Sequence, residues 1–168
     1  MVEKDESVTS QWAQVQSAYQ RRADLIPNLV AVVKGYASHE RETLEAVTEA
    51  RAKVSQINLD ASQLTEENLR KYQEAQGQLG MALNRLMAVR EAYPDLKANT
   101  NFLALQDEVA GTENRISIER NKFNDRVRDY NQYIRKFPRN IYSGWFGFSK
   151  KAYFEADAGS QTAPKIEF

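Results

Sequence analysis

Apolar side chains recur along this chain at alternating intervals of three and four residues, the spacing that places them on one face of an α-helix. The pattern is clearest between residues 65 and 94. Its in-phase positions there are Leu69, Tyr72, Gln76, Leu79, Leu83, Leu86, Arg90 and Tyr93. Thr65 is a suitable N-cap, acidic residues follow it in the first turn, and Pro94 comes directly after the last in-phase residue. The segment is therefore predicted to be one amphipathic helix.

A second long pattern begins at Phe102 and continues to Phe137, where Pro138 ends it. It predicts a helix of roughly 35 residues, which is about 50 Å long at 1.5 Å per residue. Two consecutive steps of four residues fall at Glu119, Phe123 and Val127. Such steps locally unwind a seam of seven-residue repeats.

The N-terminal stretch allows two interpretations. Its apolar positions stay in phase from Val8 to Val54, yet Pro27 lies in the middle, and a proline costs about 3 kcal/mol in a helix interior. We favour a turn around residues 24–26, with Pro27 opening a second helix, because this gives helices of similar length. The alternative is a break at residues 35–38, with Ser38 as the cap and Pro27 as a kink.

Either break gives an all-α fold, which we expect to be an antiparallel up-and-down four-helix bundle over residues 1–137. Residues 138–168 then form an aromatic-rich C-terminal arm, packed on or beside the bundle within a single domain. Only 7 Gly and 4 Pro in 168 residues argue against a β-rich or disordered chain. Because the number of antiparallel helices is even, both ends of the bundle chain should emerge at the same end.

Composition disfavours several functional classes. Lys plus Arg and Asp plus Glu both number 23, so no net field attracts nucleic acid, and nucleic acid is not an expected partner. There is no Cys, and His39 is the one histidine, more simply a surface residue than a metal ligand. No nucleophile motif or phosphate loop occurs. We therefore expect no enzymatic activity, no metal and no cofactor.

Charged residues nevertheless occupy in-phase positions, where burial would require partners. They are Arg22, Arg51, Arg90 and Glu119, with Gln76 as a neutral companion. One interpretation is a ligand-binding or enzymatic pocket inside the bundle. The simpler one is a structural polar layer of Arg–Glu pairs, or Arg side chains lying along the seam with their charged ends in water.

The C-terminal arm carries seven of the chain's aromatic residues between positions 138 and 168. Trp145, Phe146 and Phe148 lie beside Lys150 and Lys151, and a preceding basic run over residues 115–139 has eight basic and three acidic residues. The arm either folds back to cover the bundle or forms a surface for a membrane or a partner protein, since Trp and Tyr favour the headgroup level and Lys favours anionic lipid. The two interpretations are partly compatible.

Several segments of the sequence resemble the bacterial LemA family over nearly the whole chain. The matching segments are 19–30 (YQRRADLIPNLV), 32–40, 47–52, 91–99 (EAYPDLKAN), 111–116 (GTENRI), 130–131, 137–138, 146–148 and 153–154, together with Trp12, Val15, Leu105 and Gln106. The resemblance implies a helical domain preceded by a single N-terminal transmembrane helix, and hence a bacterial inner-membrane location, with the helical domain expected on the cytoplasmic side.

The longest apolar run in the sequence itself covers only residues 29–33, whereas a membrane-spanning helix needs about 20 such residues. The resemblance brings no settled activity to any residue. We therefore expect a membrane-anchored, non-enzymatic interaction or scaffold domain, which contacts the membrane through a helix outside this sequence and binds another protein or the membrane surface. A ligand-binding or enzymatic bundle that uses the in-phase Arg and Glu residues is the alternative.

Overall fold

A computed structural model describes residues 1–136 and 139–154 of the chain. All regular secondary structure in these residues is helical, so the predicted all-α class is confirmed. Helices α1 (Val2–Tyr36), α2 (Arg41–Gln56), α3 (Glu66–Ala88) and α5 (Thr100–Arg135) are long, whereas α4 (Pro94–Lys97) and α6 (Arg139–Ser143) are short. Two 3₁₀ turns, Ala61–Gln63 and Val89–Ala92, lie in the connections.

The long helices alternate in direction. Ser7 of α1 accepts a 2.6 Å hydrogen bond from Arg126 of α5, and near the other end Tyr36 accepts one from Asn99 at the start of α5. These contacts make α1 and α5 antiparallel. α3 follows the direction of α1, because Trp12 and Tyr19 both contact Tyr72 while Arg22 bonds to Gln76.

Two apolar clusters form the core. One consists mainly of aliphatic residues and includes Ile26, Leu29, Val47, Leu83 and Phe102. The other lies toward the N-terminus of α1 and the C-terminus of α5. It is rich in aromatic side chains, and we call its ring-bearing members the aromatic core: Trp12, Tyr19, Tyr72, Phe123, Tyr130 and Phe154.

The predicted N-cap of α3 is confirmed, because the Thr65 hydroxyl accepts a 3.1 Å hydrogen bond from the backbone N–H of Asn68. The in-phase positions of α3 and α5 are largely buried, as the periodicity indicated. α3 itself ends at Ala88, and Pro94 opens α4 after a 3₁₀ turn. The predicted helix end at Phe137 and Pro138 lies outside the described residues.

The favoured break at Pro27 was wrong. α1 runs through Pro27 without interruption, and the chain turns at Ala37–Glu40, the alternative position, with Glu40 rather than Ser38 as the N-cap of α2. A proline at position 27 leaves the carbonyl of Ala23 without its helical donor. The Arg51 side chain supplies a replacement, since its Nε donates to that carbonyl over 3.1 Å. α1 therefore tolerates the proline because a neighbouring helix bonds the freed group.

Candidate functional site

The described part of the C-terminal arm, residues 139–154, turns back along α5. α6 is followed by a turn in which Gly147 has φ 77°, and the N–H of Phe148 donates to the carbonyl of Ser143 over 2.8 Å. This is the bond pattern of a helix terminated by a left-handed glycine. It reverses the chain, so that residues 148–154 lie against α5 and the first turns of α1.

Phe154 is the best-buried residue of this returning segment. Its ring is 5.3 Å from that of Phe123 and 6.0 Å from that of Trp12, and the guanidinium of Arg120 lies 4.9 Å from its centre. Trp12 is itself anchored by a 2.9 Å hydrogen bond from Nε1 to the carbonyl of Leu59. The arm thus completes the aromatic core.

Two asparagines of α5 hold the backbone of the same segment. Asn131 accepts from the N–H of Lys151 (2.8 Å) and donates to its carbonyl (3.1 Å). Asn124 pairs with Phe154 in the same way, at 2.8 and 3.2 Å. Sequence reasoning gave neither residue a structural role, although segment 130–131 is part of the family resemblance. The available signal was two amides seven positions apart, each directly after a buried aromatic residue of the α5 stripe.

Lys151 joins the arm to both long helices. Its Nζ lies 2.8 Å from a carboxylate oxygen of Asp5 in α1 and 4.7 Å from the ring centre of Tyr130 in α5. Burial raises the pKa of the Tyr130 phenol, and the Asp5 carboxylate raises it further. Lys151 and the half-buried Phe148 therefore pack on the helices, although they were grouped with a membrane or partner surface.

The other three residues of that predicted group remain accessible. Trp145 is 77% and Phe146 is 67% exposed, and Lys150 is exposed as well. With Ile141 and Tyr142, also exposed, these two aromatic residues lie within the segment 141–146, and we call the four exposed side chains the apolar patch (Ile141, Tyr142, Trp145 and Phe146). The patch lies at the end of the molecule where α1 begins, because the arm that follows it pairs with Asp5.

The in-phase charged residues each find a different set of partners. Arg22 is 4% exposed, donates to the carbonyl and side-chain oxygens of Gln76 and lies 3.2 Å from Glu113. Glu119 accepts a 2.7 Å hydrogen bond from Gln11. The structure thus brings Arg22 together with Gln76 but does not join Arg22 and Glu119 directly.

Arg51 and Arg90 are only half-buried, and they lie apart from Arg22 and Glu119. Arg51 serves the Ala23 carbonyl, whereas Arg90 contacts the carboxylate of Glu91 in the turn after α3. His39 is exposed in the connection between α1 and α2.

A cleft of about 340 Å³ opens between α1, α3 and the end of α2. Amide, hydroxyl and phenol groups line it, including Gln16, Gln20, Asn58 and Tyr72. Burial raises the pKa of the Tyr72 phenol. Of the in-phase polar residues only Gln76 reaches this cleft, so the predicted Arg and Glu residues do not form its lining.

The fold and these contacts define an all-helical protein that gathers the start of its first helix, a docked arm and an exposed aromatic patch at one end. The model of the LemA family matches residues 11–168, and the chain belongs to the LemA family. Within the described residues, none of the helices contains a stretch apolar and long enough to span a bilayer.

Among curated relatives, the chain is similar to the protein LemA of Metamycoplasma hominis, with 28% identity over 131 residues, which is 78% of this chain and 53% of that protein. It is also similar to the magnetosome protein MamQ 2 of Paramagnetospirillum magneticum, with 33% identity over 88 residues, 52% of this chain and 32% of the relative. MamQ of Magnetospirillum gryphiswaldense matches over the same length at 32% identity. The matched part of the chain spans about half of the first relative and about a third of the others.

Proposed function

We propose that this chain is the non-enzymatic helical domain of a membrane-anchored bacterial protein, and that its apolar patch binds the interface of an anionic membrane. The observation that carries the proposal is the exposure of Trp145 and Phe146 side by side at the end of the molecule where α1 begins. A Trp and Phe pair is stabilised at the headgroup level, because the rings leave water there while the indole N–H stays hydrated.

Charge around the patch supports an anionic surface. Residues 135–154 contain five basic side chains, Arg135, Lys136, Arg139, Lys150 and Lys151, and no acidic one. Lys151 is neutralised by Asp5, whereas Arg135, Lys136 and Lys150 are exposed. At this end of the molecule the exposed carboxylates of Glu3 and Glu6 lie on α1. The surface of α6 and the arm is therefore the positively charged one. Each basic residue near an anionic bilayer contributes about 1 kcal/mol of attraction.

The position of the patch supports a tethered arrangement. A membrane helix joined to the N-terminal side of α1 would emerge at the same end as the patch, because Lys151 pairs with Asp5 in the first turns of α1. Such an anchor would hold the patch near the bilayer, and weak interfacial contacts would then suffice, since tethering raises the effective concentration to the millimolar range for a short linker (about 1 mM). The non-enzymatic part of the proposal is supported by Arg22 and Glu119, which are both engaged by neighbouring side chains.

Flotation with lipid vesicles tests this proposal. We expect the chain to float with vesicles of phosphatidylcholine and phosphatidylserine, and the Trp145→Ala/Phe146→Ala variant to bind at least about tenfold more weakly, because both rings lose their apolar contact. A Lys136→Ala/Lys150→Ala variant should bind the anionic vesicles more weakly than wild type at low salt, and its binding should fall less steeply as salt is raised, because less electrostatic attraction remains to be screened.

The matched control removes exposed apolar side chains elsewhere. Met81 of α3 is 69% exposed and Leu103 of α5 is 43% exposed, so a Met81→Ala/Leu103→Ala variant removes two exposed apolar side chains away from the patch. It should float like wild type. Equal flotation by the patch variant and wild type, or equal loss in the control, would contradict the proposal.

A further inference from the structure

The returning arm is held in the way a bound peptide is held. The backbone N–H of Lys151 donates to the side chain of Asn131, and its carbonyl accepts from the same side chain. Phe154 makes the same pair of hydrogen bonds with Asn124. A residue that uses both backbone groups on one side lies in an extended conformation. These bonds hold the backbone of the arm; between them, Ala152 packs against the aromatic-rich cluster and the Tyr153 hydroxyl accepts a 3.2 Å hydrogen bond from Asn131.

The spacing of the two asparagines matches an extended chain. Asn124 and Asn131 are seven residues apart on α5, which is about 10.5 Å along a helix. Their partners in the arm are three residues apart, and three residues of extended or polyproline II chain advance about 9–10 Å. The register is antiparallel, because the later asparagine meets the earlier arm residue. The two asparagines of α5 are thus spaced to bind the backbone of an extended segment at two positions.

Two sites that bind side chains add sequence preference to this backbone recognition. Phe154 enters the aromatic core beside Trp12, Phe123 and Arg120. Lys151 places its ammonium between the Asp5 carboxylate and the Tyr130 ring. Ala152 and Tyr153 lie between them, and Tyr153 is 39% exposed. The groove therefore selects a cation and an aromatic ring three residues apart, in the order Lys-x-x-Phe.

We propose that this groove, lined by Asn124, Asn131, Trp12, Tyr130 and Asp5, is a peptide-binding site for an extended Lys-x-x-Phe segment, and that the arm of a second copy of this chain is its ligand in trans. In the single chain the site is filled by the chain's own residues 149–154. The chain carries the matching segment itself, after α6, so a second copy offers the same Lys-x-x-Phe order. The inference stands apart from the membrane proposal, since it uses none of the patch residues.

Peptide binding to a vacated groove tests the site. The Lys151→Ala/Phe154→Ala variant removes both arm anchors and leaves the groove residues in place. A fluorescent peptide with the sequence of residues 149–154, Ser-Lys-Lys-Ala-Tyr-Phe, should bind this variant at least about tenfold more tightly than wild type, because an attached arm competes at an effective concentration on the order of millimolar. A peptide in which the same Lys and Phe are replaced by Ala should not bind.

Further substitutions show whether the asparagines read the peptide. Adding Asn124→Leu and Asn131→Leu to the vacated variant should abolish peptide binding, whereas Asn114→Leu, at an exposed position of the same helix, should not. Circular dichroism checks that each variant is folded. If the vacated variant unfolds, Lys151→Ala alone weakens the arm and should still bind the peptide several-fold more tightly than wild type. Equal binding of the peptide to the arm-weakened chain and wild type would overturn the inference.

Exchange between copies is tested by complementation. The vacated variant has a free groove, and an Asn124→Leu/Asn131→Leu chain has a free arm. We expect sedimentation to show a 1:1 complex in the mixture and monomers for each variant alone. No complex in the mixture would exclude the arm of a second copy as the ligand.

Discussion

Aromatic side chains gather in two regions at the same end of the molecule, and the two regions differ in what surrounds the rings. In the aromatic core, Trp12 is 2% exposed and its ring contacts those of Tyr72, Phe123 and Phe154. In the apolar patch, Trp145 is 77% exposed and its ring contact is with Tyr142, 6.0 Å away. The first region stabilises the fold, whereas the second leaves apolar surface in water, where a binding partner would cover it.

The comparison predicts its largest effect for the two tryptophans. Trp12→Ala should lower the free energy of unfolding by about 3–5 kcal/mol, since it empties a packed site and removes the hydrogen bond to Leu59. Trp145→Ala should change it by less than about 0.5 kcal/mol. Denaturation by urea measures both. Similar losses for the two variants would show that the patch is part of the folded core.

A substitution outside both regions tests the helix that carries Trp12. At Pro27, α1 relies on Arg51 to bond the carbonyl that the proline leaves free. Arg51→Met should cost about 1–2 kcal/mol, since the buried carbonyl of Ala23 loses its donor. In a Pro27→Ala background the cost should be smaller, because the new N–H restores the helical bond. A double-mutant cycle measures the coupling, with the exposed Arg21 as the control site. An equal cost in both backgrounds would refute this role.

The glycine between the two regions gives the next effect. Gly147→Ala should destabilise the chain by about 1 kcal/mol or somewhat more, because an L-residue is strained at φ 77°. Gly144→Ala introduces a Cβ into open space at a glycine without positive φ and should be nearly neutral. The unfolding free energies of the two variants show whether the loss comes from backbone strain at position 147 or from replacing any glycine of this segment. Two equal values would rule out the turn as the cause.

The smallest effect is expected for the neighbouring lysines of the arm. Lys151→Ala removes a partly exposed ion pair with Asp5 and a contact with the Tyr130 ring, which together should cost about 0.5–1 kcal/mol. Lys150 is exposed, and Lys150→Ala should leave stability unchanged. Thermal unfolding at low and high salt compares them. A loss for Lys150→Ala as large as for Lys151→Ala would place both lysines in the docked segment.

Periodicity predicted most of the fold, because the buried stripes of α3 and α5 follow directly from the spacing of three and four residues. At Pro27 the phase was continuous, and the prediction of a break came from the cost of a proline in a helix. That argument failed because the donor that replaces the lost bond to the Ala23 carbonyl is Arg51, 28 positions away, which the sequence of α1 alone does not reveal. The concentration of aromatic residues around Trp145 and Phe146 was anticipated from the sequence, and their role as a membrane or partner surface stays a prediction. The division between exposed Trp145 and docked Phe154 was not anticipated, since it depends on Gly147 and on the amides of Asn124 and Asn131.

The central claim, that the apolar patch meets a membrane while the aromatic core does not, is tested most directly with the two tryptophans as separate probes. Trp12→Phe leaves Trp145 as the sole indole, and Trp145→Phe leaves Trp12. On adding phosphatidylserine-containing vesicles, we predict a shift to shorter emission wavelength and quenching by brominated lipid for Trp145, and no change for Trp12. An unchanged Trp145 spectrum, or equal changes for both, would contradict the account.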